Sequence, residues 1–406
     1  MADNLGYFAG LRGTGSYGTD ERPKNFREMI LFMQPNGKAP LFALTSKAKT
    51  QKTDDPEFAW WEEVMNICRV QVNNGGGYNS AATTLTVDGG DARELIPGDV
   101  LQYEKPTETS TYDNELLRVV SVTNATTIVV TRGYAGTTAA SLADDGALLR
   151  VGNSQSEGNT SIASSSTNPV KLKNYTQIFK TPYQITKSDL ETKKRTGDPK
   201  KNEQKRKSFQ HAEKIEQAMF WGVQSETTDA TNNNLPLRTT MGLRKFITSN
   251  VKVWTTDPTE DEFINFVAPV FDYESGEAGN ERILFMGNGA LNWLNRLRKT
   301  DSNTNINYQG EITYFGMDLQ KYKIPQGTLY VKSHPLMNVH PVYKNSFFVI
   351  NAAGLTYRPL GGRDTKLEKD IQPNDADYIK DQWLTECGFE FHFERTFAYG
   401  GGFCDH

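Results

Sequence analysis

Cysteine is nearly missing from this sequence. Its three residues, Cys68, Cys387 and Cys404, are odd in number and far apart, which excludes a disulfide framework and a thiolate metal module. Long hydrophobic runs are missing too. No stretch approaches the ~20 apolar residues that cross a bilayer as a helix, and the opening MADNLGYFAG has neither the basic region nor the apolar core of a secretory signal. Synthesis in the cytoplasm without membrane contact is the expectation. An excess of one charge is also lacking: 45 Lys and Arg stand against 49 Asp and Glu, so the chain has no general affinity for polyanions.

Catalytic signatures are the next absence. There is no Walker loop, nucleophile elbow or HExxH. His334 and His340, in SHPLMNVHP, each precede a proline with no carboxylate or thiol at ligand spacing, and they read as loop polarity near a strand end. The pairs Asp54/Asp55, Glu62/Glu63 and Asp144/Asp145 lie in segments that read as turns or solvated faces. Neighbouring side chains on a strand point apart, so paired-carboxylate chemistry is not expected from them. The GxGxxG of Gly13, Gly15 and Gly18 has no predictable strand before it or helix after it, and reads as part of an arm. No catalytic residue, metal or cofactor is expected.

What is present is organised around residues 174–221. NYTQIFKTPYQITKSDL carries Tyr175, Ile178, Phe179, Tyr183 and Ile185, residues favoured on strands. After a polar break, Asp198 stands as an N-cap with Pro199 at the first helical position, and no Gly or Pro follows until Gly222. The spacing predicts one helix over 199–221, roughly 33 Å long. Phe209, Ala212, Ile215 and Met219 form its expected apolar stripe. Its first half belongs to a basic run of Lys187, Lys193, Lys194, Arg195, Lys200, Lys201, Lys205, Arg206 and Lys207. That run reads as a solvated face, as a patch for acidic surface on a neighbour, or as a contact with packaged nucleic acid.

Between Val70 and Val151, short runs rich in Val, Thr, Leu and Ile are separated by Gly, Asn, Asp and Pro. They predict a small all-β sandwich or barrel, and the linkers NNGGGYNS and SQSEGNTSIASSSTNP mark it as an insertion. Asn25 to Met33 reads as a short helix, and Pro40 to Leu44 opens an extended passage ending in Phe58, Trp60 and Trp61. Beyond the long helix, Thr259 caps a predicted helix over 260–273 that Pro269 kinks or shortens. Arg282 to Met286 reads as a buried strand that turns through Gly287 to Gly289 into a helix. In FEFHFERTFAY, Phe389, Phe391 and Phe393 alternate with Glu390, His392 and Glu394, predicting one long strand over 381–397 buried on one side.

The order of these parts resembles the major capsid proteins of tailed bacteriophages, the Johnson fold of the Hong Kong ninety-seven phage shell, in the subgroup with a β insertion on the extended loop. The residues carrying the resemblance are FAWWEE at Phe58, VTRGYAGTT at Val130, NYTQIFKTPYQIT, EQAMFWG at the end of the helix, TMGL at Thr240 and ILFMGNGALNWL at Ile283. The resemblance implies an α+β fold divided into an N-terminal arm and short helix (1–35), an extended loop (36–190) carrying the β module at about 70–165, a spine helix (191–222), an axial domain (223–343) and C-terminal strands of a peripheral domain (344–406). It further implies a non-enzymatic subunit that assembles with itself, through pentamers and hexamers, into an icosahedral head around double-stranded DNA. Portal, scaffolding or decoration proteins and non-specifically bound DNA would be its partners, the virion its location and the host cytoplasm its place of assembly.

On that reading Phe58, Trp60, Trp61, Tyr175, Phe179 and Tyr183 on the extended loop touch neighbouring subunits. Lys193, Lys194, Arg195, Lys200, Lys201, Lys205, Arg206 and Lys207 face a neighbour or DNA. The alternative is a phage tail or adhesin-type protein whose β module binds a host-surface glycan, with a polysaccharide hydrolase a more distant third.

Overall fold

In the computed structural model, residues 49–63, 69–88, 91–104, 114–160, 168–194, 197–273, 279–300, 311–314 and 317–403 are described. The arm, its GxGxxG, the short helix over 25–33, the passage at Pro40, Cys68, Arg195 and Cys404 lie outside them. The chain divides into two compact units, one of residues 1–59 with 173–406 and the other of residues 60–172. It passes between them along strands Glu57–Glu62 and Val170–Tyr175, which pair with each other.

The smaller unit is a closed barrel. Six strands follow the order Arg69–Gln71, Ala147–Asn153, Asp99–Glu104, Leu116–Val122, Thr127–Thr131, Thr84–Thr86. The two ends of that sheet then meet: Val72 bridges Val87, the Asn73 N–H donates to the Thr86 carbonyl at 2.9 Å, and the Asp88 N–H donates to the Gln71 carbonyl at 2.9 Å. Bulges at Val100/Leu101 and between Val119 and Ser121 add the local twist that closure requires. Val70, Leu85, Leu101, Leu117, Ile128 and Leu148 alternate inward to fill the interior.

One ion pair pins the barrel's longest turn. Glu115 and Arg132 are buried, with Nε and Nη2 of the arginine each 2.7 Å from a carboxylate oxygen. The same guanidinium donates to the carbonyls of Asn79, Ala82 and Ala140, while the carboxylate also accepts the N–H groups of Gly133 and Ala140. Burial alone would raise the Glu115 carboxyl; Arg132 and the two backbone donors more than offset it and hold the group below its usual range. This is why VTRGYAGTT, which has few apolar residues, still folds to one conformation.

The larger unit holds two principal sheets. The seven-stranded mixed sheet runs Val251–Val253, Ala398–Gly401, Ser346–Ile350, Glu281–Met286, Gly327–Ser333, Met317–Ile324, Glu311–Tyr314. At its centre Glu281–Met286 lies parallel to Gly327–Ser333 and antiparallel to Ser346–Ile350. Leu284, Met286, Phe347 and Val349 pack with Phe263, Val267, Trp293 and Leu294 of helices Glu260–Val267 and Asn288–Thr300. Phe285 and Phe348 point to the opposite face and are also fully buried. A strand covered on both faces reads as an unbroken apolar run, and ILFM is one. The first of those helices has a capping box between Thr259 and Glu262, and it tightens into a 3-10 turn over Ala268–Phe271, at Pro269.

The second sheet has Tyr378–Phe391 at its centre. Gln177–Thr186 pairs with it on one side, and Leu355–Pro359 and Lys366–Glu368 pair with it on the other. Residues 49–53 run parallel beside Leu355–Pro359, where the Gln51 N–H reaches the Tyr357 carbonyl and the Thr53 N–H the Pro359 carbonyl, both at 3.0 Å.

The C-terminal strand departs from the expected single element. It ends at Phe391 and is buried on both faces from Leu384 onward. Phe393 takes a left-handed conformation at φ 59°, a 3-10 turn over Glu394–Thr396 follows, and Ala398–Gly401 then joins the other sheet. Phe393 is therefore 41 % exposed and does not continue the apolar face. The alternation of FEFHFERTFAY spans a crossover between sheets, and periodicity alone does not register the turn within it. As a result Ser346–Ile350 and Ala398–Gly401 share a sheet with strands of the region expected as axial. Glu115→Gln, which leaves the Arg132 charge buried with a neutral partner, is expected to destabilise the barrel by about 3 kcal/mol in urea unfolding; an unchanged midpoint would refute the keystone role.

Candidate functional site

The long helix and its seat are the feature on which the larger unit is built. The helix runs Pro199–Trp221, with the Asp198 carboxylate accepting the N–H groups of Lys200 and Lys201. Its first half lies on the four-stranded sheet, and the contacts there are polar. Lys200 Nζ lies 3.2 Å from Asp381, whose carboxylate also accepts the Tyr183 hydroxyl at 2.8 Å and the Asp370 N–H at 2.9 Å. Burial by itself would raise Asp381; the Asp370 N–H, Tyr183 and Lys200 hold it below the usual carboxylate range. One turn on, the Trp383 indole N–H donates to the Gln204 carbonyl at 3.3 Å.

His211 bridges the two paired strands beneath the helix. Its Nδ1 is 3.1 Å from Thr181 Oγ1 and its Nε2 is 2.7 Å from Thr385 Oγ1. Burial first, and then the neighbouring Lys214 charge, lower its pKa to about 4, so the ring sits neutral between two hydroxyls.

The second half of the helix lies on the mixed sheet. Glu216 and His334, both without exposed side-chain surface, meet at 2.7 Å. Phe220 packs on His334, Phe285 and Phe348 at ring distances of 4.7, 6.2 and 5.2 Å. The His334 N–H donates to the Met286 carbonyl, which ties the pair to the central strand. His334 is thus a buried partner of the helix and not loop polarity, whereas His340 stays exposed.

The end of the helix is clamped by close backbone approach. The Gly222 N–H donates to the Ala218 carbonyl and the Gly242 N–H to the Gly222 carbonyl, each at 2.9 Å. A Cβ at Gly242 would stand 2.6 Å from the Ala218 oxygen and 2.7 Å from the Gly222 nitrogen, which is why TMGL requires its glycine. Asn174 completes the clamp: its Nδ2 donates to the Phe389 carbonyl at 2.7 Å and to Thr240 Oγ1 at 3.1 Å, and its Oδ1 accepts the Met241 N–H at 2.8 Å.

The expected apolar stripe is therefore displaced. Ile215 and Met219 are fully buried, but Phe209 and Ala212 are only half-buried. The seated face runs through Lys200, Gln204, His211, Ile215 and Met219, flanked by Glu216 and Phe220. A stripe chosen for hydrophobicity misses a face whose first three contacts are polar.

The extended-loop aromatics are distributed unevenly. Phe58, Tyr175, Phe179 and Tyr183 are buried within the larger unit, and Trp60 is buried as well, with its indole N–H on Glu62 at 2.8 Å. Phe58 lies on the backbone of Gly388, where a Cβ would come within 2.5 Å of its ring, and under the Arg358 guanidinium. These side chains have little surface left for a neighbour. Trp61, 64 % exposed, has ample surface.

In the basic run, Lys187 pairs with Asp377, Lys194 with Asp189, Lys200 with Asp381 and Arg206 with Glu203, while Lys207 donates to Gln210. Lys193, Lys201 and Lys205 are exposed. Among the described residues no group of His, Cys, Asp and Glu is placed to hold a metal, and no helix is long and apolar enough to cross a membrane. Cys387 is buried, and burial raises its thiol pKa far above the usual value.

A family model for the SU10 major capsid protein matches residues 11–402. The chain belongs to the SU10 major capsid protein family. A relative with 25 % identity over 372 residues, covering 90 % of this chain and 85 % of its own length, is the major capsid protein of Pseudomonas phage PaMx41. Solved structures with similarity along nearly the whole chain include the capsid of a native GTA particle, at 7 % identity, covering 98 % of this chain and 100 % of that one with a TM-score of 0.48. The cyanophage A-1(L) capsid is similar at 11 % identity, covering 97 % and 99 % with a TM-score of 0.47. As an SU10-type major capsid protein the chain is a structural subunit of a phage capsid and associates with copies of itself to form the shell. Its order of limb, returning strand, long helix and mixed sheet is α+β, as the sequence resemblance implies. The comparisons give no support to the tail or adhesin alternative.

The seat makes two outcomes checkable. Ile215→Asp puts a carboxylate where several kcal/mol of desolvation oppose it and should leave no soluble folded chain, whereas half-buried Phe209→Asp should cost about 1 kcal/mol or less. Equal effects on soluble yield would show the seated face to be misplaced. His211 has a folded pKa below its ordinary value of 6.5, so the unfolded chain gains the proton first and stability falls as pH drops from 6.5 towards about 4. The loss should reach at most ~3 kcal/mol, with Asp381 adding to it below the ordinary carboxylate range. Denaturant unfolding against pH should be flatter over that window for His211→Gln than for wild type.

Proposed function

We propose that this capsid subunit assembles through pentamers and hexamers into an icosahedral head that encloses the double-stranded DNA of a tailed phage. The observation that carries this reading is the long helix seated on two sheets at once, within a chain whose family match runs almost end to end. Such a helix holds two sheets in a fixed arrangement, which suits a subunit whose contacts must repeat from copy to copy. The smaller unit is an insertion carried on the extended loop, and exposed Trp61 at its base supplies a contact to a neighbouring subunit. Lys193, Lys201 and Lys205 face either acidic surface on a neighbour or packaged DNA, with no aromatic residue interleaved as a single-strand platform requires.

Assembly takes place in the host cytoplasm, with portal and scaffolding or decoration proteins as partners. Each contact between copies is modest, and several made at once combine through effective concentration into a closed shell. Electron microscopy of the purified chain, or of particles that contain it, should show closed shells with fivefold and sixfold capsomers. Discrete small oligomers under every assembly condition would overturn the proposal.

A further inference from the structure

The segment after the long helix forms a hairpin, Ser225–Asp229 with Leu235–Thr239, that joins no other sheet among the described residues. Thr227 stands opposite Leu237, Ser225 opposite Thr239 and Asp229 opposite Leu235, so these six residues share one face. On that face Leu235 and Leu237 are 52 % and 56 % exposed. A two-stranded hairpin is marginal in water without a partner surface, and leucines left in solvent on its flat face mark the side to be covered.

At the foot of the same face lies a trough of about 770 Å³. Ala218 and Trp221 of the long helix, Leu336 and Tyr343 on the opposite wall, and Val223 and Val339 at the rim line it. Val223 and Val339 are 57 % and 78 % exposed, and Tyr343 stacks on Trp221 at 5.0 Å. None of the residues lining the trough is Asp, Glu, Lys or Arg. Glu226 and Arg238 pair with each other at 2.8 Å on the other face, while Asp229, opposite Leu235 at the tip, accepts the Thr231 hydroxyl at 2.6 Å.

We propose that the leucine face of this hairpin docks into the trough of a second copy of the chain, a head-to-tail contact inside a capsomer. This rests on the shell-forming reading above. The occupant is another copy because Leu235 and Leu237 match the Ala, Leu, Val, Trp and Tyr side chains of the trough as apolar surface, with Asp229 at the tip left to the polar rim, and because the subunit forms its shell from copies of itself. Although Ser225 and Thr239 belong to both hairpin and trough, the exposed leucines and the trough residues Leu336, Val339 and Tyr343 are different parts of one molecule, so their contact is heterologous and closes into a ring when the rotation between copies closes.

Variants with one added cysteine each, in a background where Cys68 and Cys404 are replaced by serine, test the pairing. Leu237→Cys and Val339→Cys, prepared separately, are mixed during assembly and oxidised, so that any disulfide between the two positions must join different copies. An interchain disulfide in the mixture, and in neither variant mixed with the background chain, is the expected result. Leu235→Ser/Leu237→Ser should leave the unfolding midpoint of the isolated subunit unchanged and weaken ring and shell formation at least about tenfold, each lost leucine contact costing a substantial part of that factor. Normal shells from the double-serine variant, or intact shells without the mixed disulfide, would overturn the contact while leaving the shell-forming reading in place. A wild-type chain that never forms shells would count against that reading itself.

Discussion

The long helix is held by a row of polar contacts that hydrophobic packing alone would not have placed. Lys200 on Asp381, the Gln204 carbonyl on Trp383, His211 between Thr181 and Thr385, and Glu216 on His334 each join the helix to a particular strand position. A helix resting on leucines and valines can slide or rotate at small cost, because dispersion has no direction. A buried hydrogen bond has a direction, and losing one partner leaves the other desolvated at a cost of about 1–3 kcal/mol. The row therefore fixes the register and rotation of the helix along its whole length. Since its two halves lie on different sheets, it also fixes how those sheets stand within the unit.

The same contrast explains what could be read from the amino-acid order. Signals that depend on backbone chemistry were legible: Asp198 and Pro199 opening the long helix, Gly222 closing it, the Thr259 cap, and the strand-turn-helix at Met286 to Ala290. The β content between Val70 and Val151 was legible from composition, although closure was not, since it rests on pairing between residues 71–73 and 86–88 that no local pattern encodes. The seat was the least legible part. Phe209 and Ala212 look like core residues at helical spacing, yet the seated face lies to one side of them. Glu216 and His334 are 118 residues apart, and each taken alone is an ordinary polar residue. Histidine beside proline reads as loop, and only the folded chain shows a glutamate above it.

The barrel and the C-terminal crossover show how little apolar surface specifies a turn when a charge does the work. Arg132 satisfies three carbonyls and one carboxylate from separate stretches of the chain. It thereby replaces the hydrophobic residues that the Gly- and Thr-rich stretch lacks. Phe393 shows the opposite case. A large aromatic at positive φ is unfavourable locally, and the Asn250 amide helps hold the chain through that bend by donating to the carbonyls of Arg395 and Phe397. The strain is offset by continuing the chain into the mixed sheet, where Ala398–Gly401 pairs with Ser346–Ile350.

A subunit that must occupy slightly different positions in a closed shell faces two opposed requirements. It has to be stiff enough that its contacts repeat, and it must keep apolar surface that a solitary protein would bury. The seat, polar along the first half of the helix and packed through Ile215, Met219 and Phe220 along the second, meets the first requirement. Val223, Leu235, Leu237 and Val339 remain on the surface around one trough whose lining has no Asp, Glu, Lys or Arg, although Trp221 and Tyr343 within that lining already stack on each other. Directional hydrogen bonds thus fix how the helix sits on its sheets, beside the apolar cores, while this hydrophobic surface is left for contacts between copies. Undirected contacts tolerate small variation between neighbouring copies, and directional ones inside the subunit keep that variation from spreading into the fold.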